Sequence, residues 1–269
     1  MAARVVRISV APVKALALVH PDEVVVGASG VVGNRRFWLR DERGKLFNAK
    51  REGALLQILP EWDESSRRLA LTFPGGERVE GVVELGEQVD ATMYGELRAS
   101  RRVFGPWQEA ISDFVGRKLE LLWADDGAVD RLTSEGTVSL VSTASLERLR
   151  EEMGVDRPVD GRRFRMLFEI GGVGPHEEDT WMGRHVQLGD AELVVRGDVG
   201  RCVVTSRDPD TGVVDMPTLA ALAGYRREGH DEPLPFGVKG TVYTPGRVRV
   251  GDIAVPLSSP EWQPAPATT

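Results

Sequence analysis

Residues 69–83 read LALTFPGGERVEGVV. Leu69 to Phe73 and Val79 to Val83 are short apolar, β-rich runs. Pro74-Gly75-Gly76 between them supplies what a tight turn needs, a fixed φ from proline and no Cβ penalty from glycine. The stretch reads as strand, turn, strand. The same grammar extends outward. Arg36 to Leu39 leads into Asp41-Glu42-Arg43-Gly44 and then Lys45 to Asn48, a second hairpin signal. Arg4 to Val10 and Asp22 to Val26 are β-rich upstream. Downstream, Arg163 to Ile170, His185 to Leu188, Ala191 to Arg196, Cys202 to Ser206, Gly240 to Tyr243 and Arg247 to Val250 read as strands. This spacing predicts a barrel or a sandwich.

Helical signals are fewer. Pro106 to Val115 carries apolar residues at helical spacing with Gly116 as its stop. Ser142 or Thr143 caps a segment that Gly154 ends, and Pro217 opens a short helix to Tyr225. The expected fold class is mainly β with a few helices (α+β). A loose boundary falls near residues 95–105, giving domains 1–100 and 101–257. Residues 258–269 (SSPEWQPAPATT) read as a Pro-rich disordered tail.

The 269 residues carry a net charge of -7, from 34 Lys and Arg against 41 Asp and Glu. That balance argues against non-specific nucleic-acid or membrane binding. Val10 to Val19 is broken by Pro12 and Lys14 and is too short to span a bilayer. A single cysteine excludes a disulfide within the chain. With no apolar signal region at the N-terminus, it points to a reducing cytoplasm.

Common motifs are excluded in turn. Gly171-Gly172-Val173-Gly174 has Glu177 where a dinucleotide loop needs its last glycine, and reads as a connecting loop. Asp208-Pro209-Asp210-Thr211-Gly212 has its glycine one place too early for a calcium loop, and reads as a turn closed by Asp208. His20, His176, His185 and His230 show no zinc spacing. One cysteine cannot hold an iron–sulfur cluster. Cys202 itself, in Gly200-Arg201-Cys202-Val203-Val204-Thr205, admits two readings. Buried core thiol is the commonest fate of a free cysteine, and local sequence favours it. Against it stand Arg201 and Arg196, since positive charge favours a thiolate, the form that acts as nucleophile or soft-metal ligand.

Arg201-Cys202-Val203-Val204-Thr205 followed by Asp208-Pro209-Asp210-Thr211-Gly212 resembles the central signature of the MOSC-domain family, named for the C-terminal part of molybdenum cofactor sulfurase. Glu177 to Trp181, Leu188 to Leu193, Arg163-Phe164-Arg165, Phe236-Gly237 and Pro245 to Asp252 fall in the family's order. Pro12-Val13-Lys14, Asn34-Arg35-Arg36-Phe37-Trp38-Leu39 and Phe47-Asn48-Ala49-Lys50 resemble the N-terminal β-barrel domain that precedes it. The resemblance implies an N-terminal β-barrel-like domain packed on a MOSC β-barrel domain. This layout is similar to that of the mitochondrial amidoxime-reducing component and its bacterial relatives, reductases of N-hydroxylated compounds.

By that resemblance Cys202 is the catalytic residue and a ligand to molybdenum held by molybdopterin (Moco). Lys14, Arg36, Thr133, Ser134, Arg165 and Arg201 contact the cofactor, because an anionic pterin phosphate wants cationic donors. The partners implied are a small-molecule substrate and an electron-donor reductase, a flavin or iron–sulfur protein. The chain departs from the family pattern at Ala15, Gly200, Leu167 and Lys239. Ala15 and Leu167 remove polar donors, and the metal ligand and main cationic anchors remain. Two alternatives stay open: a cofactor or sulfur carrier using Cys202, and a diverged fold that takes another anionic ligand without molybdenum.

Overall fold

The computed structural model describes residues 3–125, 137–226 and 232–257. Thr133, Ser134, His230 and the expected tail at 258–269 lie outside the described residues. The fold is mainly β, with three α-helices among the described residues: α1 (Trp107–Val115), α2 (Thr143–Met153) and α3 (Thr218–Tyr225).

A seven-stranded sheet runs in the order 4–8, 168–171, 138–142, 235–244, 191–200, 185–188, 254–256. Arg4 bridges Ile253, and Ala254 N donates to Ala3 O at 2.9 Å, so the first and last strands meet and the sheet nearly closes into a barrel. Closure removes the exposed edges that an open sheet would present. Inward residues such as Leu140, Ile170, Val186, Leu193 and Val238 form one buried core. Helix α2 begins at Ser142, whose side chain accepts from Ser145 N, and ends at Gly154 with φ 64°, as the sequence predicts.

The second unit is built from a five-stranded sheet in the order 46–47, 37–41, 119–124, 96–104, 84–93 and a three-stranded sheet 59–63, 68–72, 78–82. The hairpin quoted first lies in the latter, with Gly76 N donating to Phe73 O at 2.9 Å. Helix α1 packs Trp107 into the shared core of Phe37, Leu39, Leu55, Leu71 and Leu121. The Trp107 indole N–H donates to Leu69 O at 3.0 Å, which satisfies its one polar atom.

Several sequence expectations are revised. Residues 96–104, which fall in the stretch read as a loose boundary, pair on both sides inside the five-stranded sheet. Tyr94 and Gly95 form the tip of the hairpin between residues 84–93 and 96–104. Strands 4–8 and 23–27 pair with 168–171 and 246–249, so the start of the chain is woven into the barrel. Arg163 to Ile170 is not one strand. Asp160 accepts from Arg162 N and starts a 3-10 turn over Gly161–Phe164, and the strand begins only at Phe168. Cys202 to Ser206 is also a turn, despite its β-branched residues. Thr205 N and Oγ1 both donate to Cys202 O at 3.0 Å, and Thr218 Oγ1 shares hydrogen bonds with Thr205 and Ser206. These hydroxyl bonds compete with the sheet ladder for the backbone and win.

The two units touch backbone to backbone where Gly53 meets Gly212. A Cβ on Gly212 would fall 2.1 Å from Gly53 O, and its φ of 73° disfavours any side chain. Gly212→Ala is expected to cost about 1–3 kcal/mol of stability through overpacking and backbone strain. Gly75→Ala, a turn position with open space around it, is the control with no change. Chemical denaturation of both variants measures the difference.

Candidate functional site

Strand 191–200 leaves the barrel, and the chain turns at Cys202, the N-cap of the 3-10 turn Val203–Ser206. Cys202 is half-buried and lines an open cleft of about 170 Å³ between the two units. It belongs to no hydrophobic core cluster among the described residues, so the core-thiol reading of its local sequence does not hold.

Five cationic side chains, those of Lys14, Arg35, Lys50, Arg165 and Arg201, converge on this cleft. Lys14 follows Val13, which bridges Phe37, and its N–H donates to Phe37 O at 2.7 Å. Arg35 and Lys50 come from the second unit, and Arg165 and Arg201 from the barrel. Arg165 Nη2 donates to Leu16 O at 2.7 Å, and Arg201 is held by Phe164 O at 3.0 Å and by Phe236 O. Among the described residues no Asp or Glu lines the cleft. The neighbouring arginines differ. Arg163 forms a two-pronged pair with Asp215 at 2.6 and 2.9 Å, and Arg162 is spread over Asp160 and Asp210.

Concentrated, dehydrated positive charge shows in the ionisation of these groups. Burial, then Arg35 and Arg165, hold Lys14 well below the usual lysine range, while Cys202 pushes the other way. Burial also lowers Arg35, Arg165 and Arg201. Guanidinium groups keep their charge at neutral pH even so. The backbone is strained here too. Of seven non-glycine residues with positive φ among the described residues, Ala15, Arg35, Tyr94 and Arg165 line this cleft. Such conformations concentrate where surrounding structure holds functional side chains in place.

The folded chain releases the Lys14 proton at a lower pH than the unfolded chain does. Between that lowered value and 10.5 the unfolded state binds more protons, so the cost of the buried ammonium disappears as pH rises through the window. An anion in the cleft restores the ammonium. Inorganic phosphate binding in that window is therefore expected to take up a proton, read by calorimetry in two buffers of different ionisation enthalpy. Lys14→Met abolishes the uptake.

Lys14, Arg165, Arg201 and Cys202, chosen from sequence, meet in one cleft. Arg36 does not. Its guanidinium stacks 4.6 Å from the Trp123 ring, lies 3.6 Å from Glu64, and faces a different hollow beside Asp125. Arg35, with φ 49°, turns into the cleft instead. Asn48, Lys50 and Tyr94 were missed. Phe47-Asn48-Ala49-Lys50 is a legible segment, whereas Tyr94 sits at the tip of a hairpin that no local sequence signal marks as part of the site. The Tyr94 ring stands 5.8 Å from the Lys14 ammonium and 5.9 Å from that of Lys50, a cation–π arrangement at the cleft wall.

The model of the MOSC domain matches residues 126–255, and that of the MOSC N-terminal beta barrel domain matches residues 2–118. The chain belongs to the MOSC family, with the N-terminal barrel domain in front. Mitochondrial amidoxime-reducing component 1 of Mus musculus is 38% identical over 120 residues, 42% of this chain, and the match spans 34% of that relative's length. Its counterpart in Xenopus laevis is 24% identical over 90% of this chain and 78% of its own. Molybdenum cofactor sulfurase of Danio rerio is 25% identical over 80% of this chain and 29% of its own. No helix among the described residues is long and apolar enough to cross a membrane.

Proposed function

We propose that the cleft at Cys202 binds a molybdenum-pterin cofactor and that the chain reduces N-oxygenated small molecules with electrons from a separate protein. One observation carries this reading: a half-buried thiol facing a cleft whose lining is cationic and, among the described residues, free of carboxylates.

The lining fits such a group. Among the described residues no three His, Cys, Asp or Glu side chains cluster as a metal site, so a metal here would arrive with ligands of its own. Cys202 offers one soft donor. Lys14, Arg35 and Arg165 offer charge-assisted hydrogen bonds to a phosphate. Ala15 lines the cleft without a hydroxyl, whereas Leu167 is packed in the barrel core and does not line it, so affinity rests more on the cations.

The cofactor supplies the centre that exchanges two electrons and accepts oxygen. Conversion of N–OH to N–H consumes two electrons and two protons and releases water. Lys14 Nζ, held below its ordinary range beside the thiol, is placed to hold or give a proton. Tyr94 shields one side of the cleft. A single cysteine cannot hold an iron–sulfur cluster, and in this reading the electrons come from a flavin or iron–sulfur protein.

The test is elemental analysis of the chain purified from a host that makes the cofactor, followed by reduction of benzamidoxime with a donor reductase. Stoichiometric molybdenum with turnover supports the reading. Molybdenum without turnover, or a persulfide on Cys202, favours a carrier. Absence of molybdenum in the wild-type chain sinks the proposal.

A further inference from the structure

A second cleft, of about 250 Å³, adjoins the first. Arg163, Arg165 and Val204 line both, and Val204 lies two residues past Cys202 in the same turn. The two clefts therefore share a wall that includes Val204 and Arg165.

Their chemistry differs. The second cleft has an apolar wall from Ala17, Leu18, Leu56 and Leu59. Three of its four arginines already hold an acceptor, Arg162 with Asp210 at 2.7 and 2.8 Å, Arg163 with Asp215, and Arg207 with Gly212 O at 2.7 Å, and the fourth, Arg165, is shared with the first cleft. An anion gains less beside guanidinium groups that already hold acceptors, and an apolar group gains by leaving water. The size lies near the lower end of small-molecule sites, roughly 300 Å³ upward, and suits a single ring or a short alkyl body.

We infer that this second cleft holds the uncharged aryl or alkyl body of the substrate, with Leu18 and Leu59 setting specificity and Val204 separating body from reacting head. The inference rests on the reading of the Cys202 cleft as the reaction site. Anionic cofactor and neutral substrate body are sorted by charge. The first cleft has no carboxylate in its lining among the described residues, whereas in the second Arg162, Arg163 and Arg207 already hold acceptors beside an apolar wall.

Leu18 is partly exposed and Leu59 is 39% exposed, and neither belongs to a core cluster, so Leu18→Glu and Leu59→Glu leave the core intact. The first measurement is benzamidoxime binding to the full chain by ligand-observed NMR titration, which does not depend on turnover. Each variant is expected to raise the benzamidoxime Kd about tenfold or more, since a carboxylate would be desolvated against the ring. The second measurement is steady-state kinetics of the loaded enzyme. KM for benzamidoxime rises with the Kd, while hydroxylamine, which has the N–O bond but no organic body, keeps its rate, and molybdenum content is unchanged. Equal binding of benzamidoxime by wild type and variants, or no binding by wild type, overturns the subsite. If wild type binds benzamidoxime in a Leu18- and Leu59-dependent way yet reduces neither compound, the subsite stands and the reductase reading fails.

Discussion

Cys202→Ala is expected to strip molybdenum from the chain purified from a cofactor-making host and to lower amidoxime reduction roughly a hundredfold or more. Loss of supporting groups around a metal typically costs 10–100-fold, and here the donor atom itself goes. Stability is expected to change by less than about 1 kcal/mol. The reason is local. The turn at Cys202 is held by its backbone carbonyl, which accepts from Thr205 N and Oγ1, and alanine keeps that carbonyl. Cys202→Ser separates softness from size, since a hydroxyl of similar shape is a poor partner for a soft metal. It should behave like alanine for metal content. Retained molybdenum and turnover in both variants would remove Cys202 from the mechanism and leave the cations as the only anchor.

The features that were legible in the sequence share a cause. Gly116, Gly154, Ser142 and Pro217 act through local backbone chemistry, and all three helices lie where those signals put them. The hairpin at 69–83 is equally local. What sequence could not supply was non-local pairing. Residues 84–93 and 96–104 alternate weakly because much of their length is exposed, and their strand character comes from each other. The strand expected at Cys202 to Ser206 failed because β-branched side chains there serve a turn held by hydroxyls of Thr205, Ser206 and the distant Thr218. At the site, the ordered match across the chain found four residues that the fold brings together. A motif gives order but not facing, and of the adjacent arginines Arg35 lines the cleft while Arg36 lines another hollow. In this segment a left-handed residue decides which of two adjacent arginines enters the cleft.

The arginines near residue 163 offer the sharpest separation of stability from binding. Arg163→Met is expected to cost about 3 kcal/mol. It breaks a pair whose guanidinium is buried, and it leaves Asp215 with Arg157 alone. The Arg163 hydrogen bond is the foremost influence holding the Asp215 carboxyl below its usual range. The pair's contribution is therefore present above the unfolded carboxylate value of 3.8 and fades as pH falls through the lowered one. Wild type and Arg163→Met should thus converge in stability at acid pH. Arg165→Met should do the opposite. It removes a buried cation that faces the carboxylate-free cleft and already bears an unfavourable charge neighbour in Arg35. The lost hydrogen bond to Leu16 O offsets that relief, so stability stays within about 1 kcal/mol. A charge-assisted hydrogen bond to the cofactor, about 1.5–3 kcal/mol, disappears, and retention of molybdenum through dialysis falls roughly ten- to a hundredfold. Denaturation curves and metal content, measured on both variants, distinguish the roles. A destabilised Arg165→Met that keeps its metal would show that Arg165 braces the fold and does not anchor an anion.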